Sequence, residues 1–282
     1  MKKDKEWDWE VRPDEGWFRL QFGELIQYKD LMLSFVRRDI IASYQQTILG
    51  PLWVFLQPML TTLVYFVIFS RIAHLSTDGI PPFLFYLPGS IIWTYFSDCL
   101  NATMNTFTQN ALLFSKVYFP RLIAPLSTIL FQSFRLSIQL LLFLAVYLAY
   151  FFFHQAANPS AWIIILPMLV SITACFGLGL GLLISVFTAR YRDLDNILQI
   201  IIRLFMFATP VVYPISMVPE KYQLLFWLNP LTAVIETFRA IFFTHHTIDI
   251  THLLWSAGSA VTILFAGLIL FRKREIKVMD TI

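Results

Sequence analysis

The sequence predicts an all-α integral membrane protein with six transmembrane helices. Of its 282 residues, 57% are hydrophobic and only 14% are charged, whereas soluble domains carry about 25% charged residues. The apolar residues are also grouped in runs long enough to cross a bilayer. Lysine and arginine, finally, are concentrated in alternate loops between those runs, which is typical of a multi-pass protein.

A membrane-spanning helix needs roughly 20 mainly apolar residues. Six runs meet this requirement, at about 52–72, 82–107, 123–153, 161–188, 196–216 and 252–271. The third run exceeds one bilayer crossing, so it is either tilted or extends beyond the membrane. The second is interrupted by three polar residues and is the weakest of the six.

A further apolar stretch, 222–243, is broken by Asn229 and Pro230. Neither half is long enough to cross a bilayer, so we expect two short re-entrant or interfacial helices between the fifth and sixth spans. Such helices are tolerated only where protein or a water-filled cavity shields them.

The distribution of basic residues predicts the orientation. Sixteen of the 21 lysines and arginines fall in 1–50, 108–122, 189–195 and 272–282. The loops on the opposite side contain only Arg71, Lys221 and Arg239. Because positive loops stay in the cytoplasm, both termini are predicted to be cytoplasmic, and the 222–243 segment faces outward. The first 30 residues contain no apolar core, so we expect no cleaved signal peptide.

The N-terminal segment, 1–50, contains apolar residues at helical spacing from about 17 to 36. This pattern predicts an amphipathic helix that lies on the cytoplasmic membrane surface or packs on the rest of the protein. The remaining divisions are a membrane domain, 51–274, and a short cytoplasmic tail, 275–282.

Two polar stripes lie inside predicted spans. Ionisable residues within a membrane are expensive and are candidates for function. The second span carries one stripe and the third span the other, each on a single helical face. Since the two helices run antiparallel, Asp98 and Arg135 lie at similar depths, and we expect them to form an ion pair in the bundle interior. The stripes consist of Asp98, Asn101, Asn105, Gln132, Arg135 and Gln139.

Several motifs are absent from the sequence. It has no phosphate-binding loop of the G-x-x-x-x-G-K-[ST] type, and no Ser/His/Asp arrangement that indicates a catalytic centre. We therefore expect neither an enzyme nor a metal site, and any energy source would be a partner. Gly177 and Gly181 form a G-x-x-x-G face, which favours close helix packing. Cys99 and Cys175 are expected to be free thiols.

Five segments of the sequence form a recognisable set. They are RDIIASYQQTILGPLWVFLQP at 38–58, KVYFPR at 116–121, RYRD at 190–193, TPVVYP at 209–214, and Asn229–Pro230. Together they resemble the permease subunits of type-2 ABC transporters that export polysaccharides, such as O-antigen, capsule and teichoic acid exporters. The resemblance spans roughly 35–275.

The resemblance implies a homodimer that forms a pore and docks two copies of a separate ATPase, which binds ATP and magnesium. It implies contact with that ATPase at two places besides the amphipathic helix. These are the turn Leu49, Gly50 and Pro51, and the loop Lys116, Val117, Tyr118, Phe119, Pro120 and Arg121.

On the outer side, the resemblance implies a gate of short helices over 214–245. Our candidate gate residues are Tyr213, Pro214, Asn229, Pro230, Glu236 and Arg239. The implied substrate is a glycan on a polyprenyl-pyrophosphate lipid in a bacterial plasma membrane. Arg19, Arg37 or Arg38 would contact its anionic headgroup.

Alternative functions stay open at this point. Within the same class, the alternative is the permease of a teichoic acid exporter or of an exporter of small hydrophobic drugs. An ion-coupled carrier or channel would require inverted repeats and midplane ion sites, of which we find no convincing sign. A membrane glycosyltransferase would require clustered acidic residues.

Overall fold

A computed structural model describes residues 26–45, 47–117, 119–154, 160–191, 193–243 and 248–279. These described residues form helices and the turns between them, and they include no strand. The helices are α1 (Lys29–Tyr44), α2 (Trp53–Tyr65), α3 (Pro82–Met104), α4 (Thr106–Gln109), α5 (Ala111–Lys116), α6 (Ile123–His154), α7 (Leu166–Thr188), α8 (Asp193–Phe207), α9 (Glu220–Trp227), α10 (Pro230–Phe242) and α11 (Ile250–Met279). A π-helical stretch, Phe66–Ile72, extends α2.

Four helical segments in the described part of the chain are long and apolar enough to cross a membrane: Gly50–Ile72, Ile123–Phe153, Trp162–Thr188 and Ile250–Arg274. A fifth candidate is the pair α9 and α10, which meets the criterion only jointly and is bent by 99°. The molecule is therefore a multi-pass membrane protein with four to five candidate spans, and the predicted count of six is not confirmed.

Two predicted spans, represented by α3 and α8, do not meet the criteria for a membrane-spanning helix, and each fails for a different reason. Helix α8 has 15 residues, a length of about 22 Å, which is shorter than the roughly 30 Å hydrocarbon core. Helix α3 has 23 residues and is long enough, but its composition is less apolar. Sixteen of those residues are buried, because α2, α6, α7 and α10 pack around it. A helix enclosed by protein does not need a lipid-facing apolar surface.

Small residues bring α7 close to two neighbours. An added Cβ at Gly177 would lie 2.9 Å from Cys99 Cβ, and one at Gly181 would lie 2.5 Å from Thr103 Cβ, both on α3. The predicted packing role of this glycine face is confirmed. On its other side α7 meets α11, where a Cβ at Gly179 would lie 2.6 Å from the backbone nitrogen of Leu264.

The N-terminal helix differs in its limits from the prediction. Helix α1 runs from Lys29 to Tyr44, whereas the sequence pattern placed a helix at 17–36; residues 17–25 lie outside the described residues. One face of α1 packs against α6, with Phe35 buried. The helix extends beyond 36 because Ile40 and Tyr44 continue the half-buried side.

Candidate functional site

The predicted ion pair within the bundle is present. Arg135 Nη1 on α6 lies 3.1 Å from Asp98 Oδ2 on α3. The same nitrogen donates a hydrogen bond to Gln132 Oε1 at 3.1 Å. Both charged side chains retain some exposure, 22% for Arg135 and 31% for Asp98. Gln139 is buried further along α6, with 3% of its surface exposed.

The two asparagines of the α3 stripe have partners on a different helix. Gln199 Nε2 donates to Asn101 Oδ1 at 2.9 Å, and Asn105 Nδ2 donates to Asp195 Oδ1 at 3.0 Å. Both partners belong to α8. The stripe therefore joins three helices, with α3 between α6 and α8. Sequence reasoning missed Asp195 and Gln199, although their i, i+4 spacing is a signal that would have indicated a shared face.

Arg239 on α10 is fully buried and holds the turn that follows α8. Its guanidinium donates to the carbonyl oxygens of Pro210 at 2.9 Å and Val211 at 2.8 Å. It also pairs with Glu236 Oε1 at 3.0 Å and lies 3.7 Å from the ring centroid of Phe85. A buried arginine with these partners is satisfied on most of its donors, so it fixes α10 to this turn.

The break between α9 and α10 is also tied to that turn. Asn229 Nδ2 donates to Thr209 Oγ1 at 2.7 Å, and Asn229 Oδ1 caps α10 by accepting from the Leu231 amide at 3.1 Å. Ser256 donates to the carbonyl oxygen of Pro230 at 2.7 Å. The break therefore falls where the sequence placed it, because an asparagine cap followed by proline begins a new helix.

Of the remaining candidate gate residues, Tyr213 lies beside the turn. Its hydroxyl donates to the carbonyl oxygen of Phe207 at 2.6 Å, and its ring meets the edge of Phe226, with the centroids 6.1 Å apart. Pro214 is buried next to it and precedes a short 3-10 turn, Ile215–Met217.

A titratable cluster lies at the start of α11. The His252 ring stacks on Trp227 with centroids 3.9 Å apart, and His252 Nδ1 lies 2.7 Å from Asp249 Oδ2. Desolvation alone would raise the pKa of Asp249, but hydrogen bonds from His252 and the Thr251 amide bring that pKa below its ordinary value. The cluster joins the end of α9 to α11.

At the opposite end of the molecule, the turn before α2 presents apolar side chains. Gly50 has a positive φ of +48°, which glycine adopts without strain, and Pro51 follows in a 3-10 turn. Ile48 is fully exposed, Leu52 is 60% exposed and Leu49 is 36% exposed.

The loop at 116–121 is not a free surface as a whole. Phe119 is buried, 5.7 Å between centroids from Phe35 of α1 and 5.6 Å from Phe114 of α5. Its side chain therefore packs inside this chain, whereas the resemblance implies that the loop contacts the ATPase. The reason is that α1 covers the loop. Tyr118 lies outside the described residues.

The other members of this loop are more accessible. Val117 is 53% exposed and Lys116 is exposed beside it, while Pro120 and Arg121 are half-buried. Together with Ile48, Leu49, Leu52 and Leu112, Val117 belongs to the exposed apolar set that we call the basal surface; Leu112 is 78% exposed.

Of the three arginines proposed for headgroup contact, Arg19 lies outside the described residues. Arg37 is exposed on α1. Arg38 is engaged locally, with Nη2 2.8 Å from Asp39 Oδ1 and its guanidinium 4.9 Å from the Phe35 ring centroid. Within the described part of the chain, no group of three or more His, Cys, Asp or Glu residues is placed to hold a metal ion.

Comparison with known proteins adds to this geometry. Residues 31–243 match the family model described as ABC-2 type transporter. The chain is 30% identical over 261 residues to the O-antigen export system permease protein RfbA of Myxococcus xanthus, covering 92% of this chain and 98% of that protein. It is 25% identical over 245 residues to a protein of the same name from Klebsiella pneumoniae, covering 86% and 92%.

A third relative is the polysialic acid transport protein KpsM of Escherichia coli, 27% identical over 241 residues, which are 84% of this chain and 91% of KpsM. The family match covers most of the chain and includes α1, α3, α8 and the α9–α10 break. The chain belongs to the ABC-2 type transporter family.

Proposed function

We propose that this chain is the membrane subunit of an ATP-driven exporter that moves a lipid-linked surface polysaccharide of the O-antigen type across the bacterial plasma membrane. The observation that carries the proposal is the 30% identity with an O-antigen export permease over 98% of that protein's length. A polysialic acid transport protein matches as well, which supports polysaccharide as the substrate class.

In this proposal two copies of the chain enclose the path and two copies of a separate ATPase drive it. The chain itself is not an enzyme, and ATP and magnesium bind to the ATPase. The basal surface supports the position of that partner. Apolar side chains are exposed in both of its segments, at 48–52 and at 112–117 beside Lys116, and exposed apolar side chains are typical of a protein interface.

The proposed topology has both termini in the cytoplasm. It requires α3 and α8 to cross the bilayer in addition to the four long segments. Their surroundings support this, since α3 is sheathed by protein and α8 pairs with it through Gln199 and Asp195. The α9–α10 pair then enters from the outer side as a gate.

Coupling follows from the packing. Phe119 ties the loop after α5 to α1, and that loop leads directly into α6. A movement of the ATPase against the basal surface would therefore displace α1 and α6 together. The Asp98–Arg135 pair joins α6 to α3, so the displacement would reach the centre of the bundle and, through α3, the outer turn.

The headgroup role is proposed for Arg37 in particular. Arg37 is exposed on α1, whereas Arg38 is engaged by Asp39. Neutralising Arg37 should reduce substrate-stimulated ATPase activity more than neutralising Arg38, if the lipid diphosphate meets α1 at the membrane surface.

The test of the proposed function is co-purification of the tagged chain from mild detergent, followed by an ATPase assay of the eluate. We expect an ATPase at about equal stoichiometry. Val117→Asp should lower that yield because it places a charge in the basal surface. Met217→Asp, at a 46% exposed position in the short 3-10 turn Ile215–Met217, serves as the matched control. A chain that purifies alone and moves solute on an ion gradient would overturn the proposal in favour of a carrier.

A further inference from the structure

Arg135, Arg203 and Arg239 each lie on a mainly apolar helix, and two of the three have protein partners. Arg135 is paired with Asp98 and Gln132, and Arg239 is held by Glu236 and two carbonyl oxygens. Arg203, on α8, has no hydrogen bond or ion pair to any described residue, and it is exposed. The described residues therefore supply no partner for its guanidinium.

The surroundings of Arg203 are apolar and exposed. On the same helix, Ile200 is 59% exposed, Leu204 is 63% exposed and Phe207 is 52% exposed. Arg203 follows the first residue of α8 by ten positions, which places it about 15 Å along the helix axis. If α8 crosses the bilayer as proposed, this position is near the middle of the hydrocarbon core.

Apart from its first residue, Asp193, the polar residues of α8 lie on one flank of the helix. At 100° per residue, Asp195, Asn196, Gln199 and Arg203 occupy a sector of about 100°. Ile197, Ile201 and Leu204 lie outside that sector. Gln199 binds Asn101 of α3, so this flank continues the polar stripe of the bundle. An ionised side chain within a membrane span that has no ion-pair partner is expected to face the bundle interior or a water-filled cavity, and not lipid.

We infer that Arg203 is an anion-binding position on a water-accessible path, which the α8 helices of two copies enclose, and that it takes a phosphate or carboxylate group of the passing substrate. This inference rests on the proposed function, since that function supplies the second copy and the anionic cargo. The anionic group belongs either to a lipid diphosphate or to an acidic sugar, and the experiment distinguishes the two sources.

The first measurement is the accessibility of single cysteines in the full chain with Cys99 and Cys175 replaced by alanine. An anionic, membrane-impermeant methanethiosulfonate is applied to purified complex in lipid nanodiscs. Arg203→Cys should react at least 10-fold faster than Leu204→Cys, its neighbour on the lipid side. Since a cysteine cannot extend to the membrane surface as an arginine does, equal and slow rates at both positions would overturn the inference.

The second measurement keeps Arg203 in place and uses Ile200→Cys, one turn away. The ratio of its reaction rates with anionic and cationic methanethiosulfonates should fall at least threefold when Arg203→Gln is added, because the guanidinium attracts anions. An unchanged ratio would show that Arg203 does not face the path. This arm remains informative if Arg203→Cys fails to fold.

The third measurement identifies the anion. Geranyl pyrophosphate represents the lipid diphosphate and glucuronate represents the acidic sugar. The probe that binds should slow the reaction of the anionic reagent with Ile200→Cys when Arg203 is present, and it should have no effect with Arg203→Gln. If neither probe slows the reaction, anion binding at Arg203 is refuted. Labelling needs no partner, so rapid labelling of a chain that purifies without an ATPase would contradict the proposed function and not the aqueous path.

Discussion

The guanidinium of Arg239 donates to the carbonyl oxygen of Pro210 across 2.9 Å, from a side chain with no exposed surface. The same group reaches Val211 at 2.8 Å. Carbonyl oxygens in a turn lack helical partners, and leaving them unpaired away from water is unfavourable. One side chain thus satisfies the backbone of the turn after α8 and binds it to α10.

Arg239→Met should destabilise the protein by about 3–5 kcal/mol, because it leaves Glu236 and two carbonyl oxygens without their partner. Arg239→Lys should recover only part of this loss, since lysine lacks the planar fork that reaches two acceptors at once. The free energy of unfolding can be measured by titration with denaturing detergent in mixed micelles. Arg71→Met is the control; Arg71 is exposed, and equal losses in both variants would contradict the prediction.

Gly179→Ala should be destabilising by about 1–3 kcal/mol, which is typical of overpacking. Its Cβ would lie 2.6 Å from the nitrogen and 2.7 Å from the Cα of Leu264, and backbone atoms cannot move aside as a flexible side chain does. Gly258→Ala, on α11, has no atom within 4 Å of the added Cβ and should stabilise the chain slightly. The two variants are compared by heating each and measuring the folded fraction by size-exclusion chromatography. A Gly179→Ala variant that is more thermally stable than Gly258→Ala would contradict the prediction.

Exchange of Asp98 and Arg135 tests their coupling. Each single variant, Asp98→Arg or Arg135→Asp, places like charges together and should be strongly destabilised, whereas the double variant should recover about 0.5–3 kcal/mol relative to additivity. The same cycle at the exposed Arg38–Asp39 pair should give less than about 1 kcal/mol. A double variant no better than either single variant would show that the pair contributes no specific interaction.

Phe119→Ala should lower the stability of the fold by about 3–5 kcal/mol, because the ring is buried between Phe35 and Phe114. Val117→Ala, two residues earlier and 53% exposed, should leave stability within about 0.5 kcal/mol. Unfolding in mixed micelles measures both. If Phe119→Ala were as stable as Val117→Ala, the prediction that Phe119 stabilises the fold by packing against α1 would be contradicted.

Sequence alone predicted the features that depend on local chemistry or on helical periodicity. Asn229 followed by proline marks a cap and a new helix wherever it occurs. The Asp98–Arg135 pairing was predicted from the similar depth of the two residues in antiparallel helices. Close helix packing at Gly177 and Gly181 was predicted because neither residue has a side chain on that face.

The features that sequence did not predict depend on which helices are neighbours. The sequence of α3 does not show that Asn101 and Asn105 contact α8 whereas Asp98 contacts α6. Residues on one face of a helix can contact two different neighbouring helices. The burial of Phe119 likewise depends on where α1 lies. The predicted count of six spans is not confirmed partly for the same reason, since α3 is sheathed by protein and has no need of a strongly apolar sequence.

Helix α6 is 32 residues long, or about 48 Å, and its one proline, Pro125, lies in the first turn. Its first turn follows the loop that holds Phe119, and near its far end Tyr147 donates to the carbonyl oxygen of Phe242, the last residue of α10, at 3.2 Å. Such a helix is a stiff lever. A tilt of about 5° about one end would sweep the other through about 4 Å, enough to break a hydrogen bond, so a small rotation at the base is amplified at the opposite face.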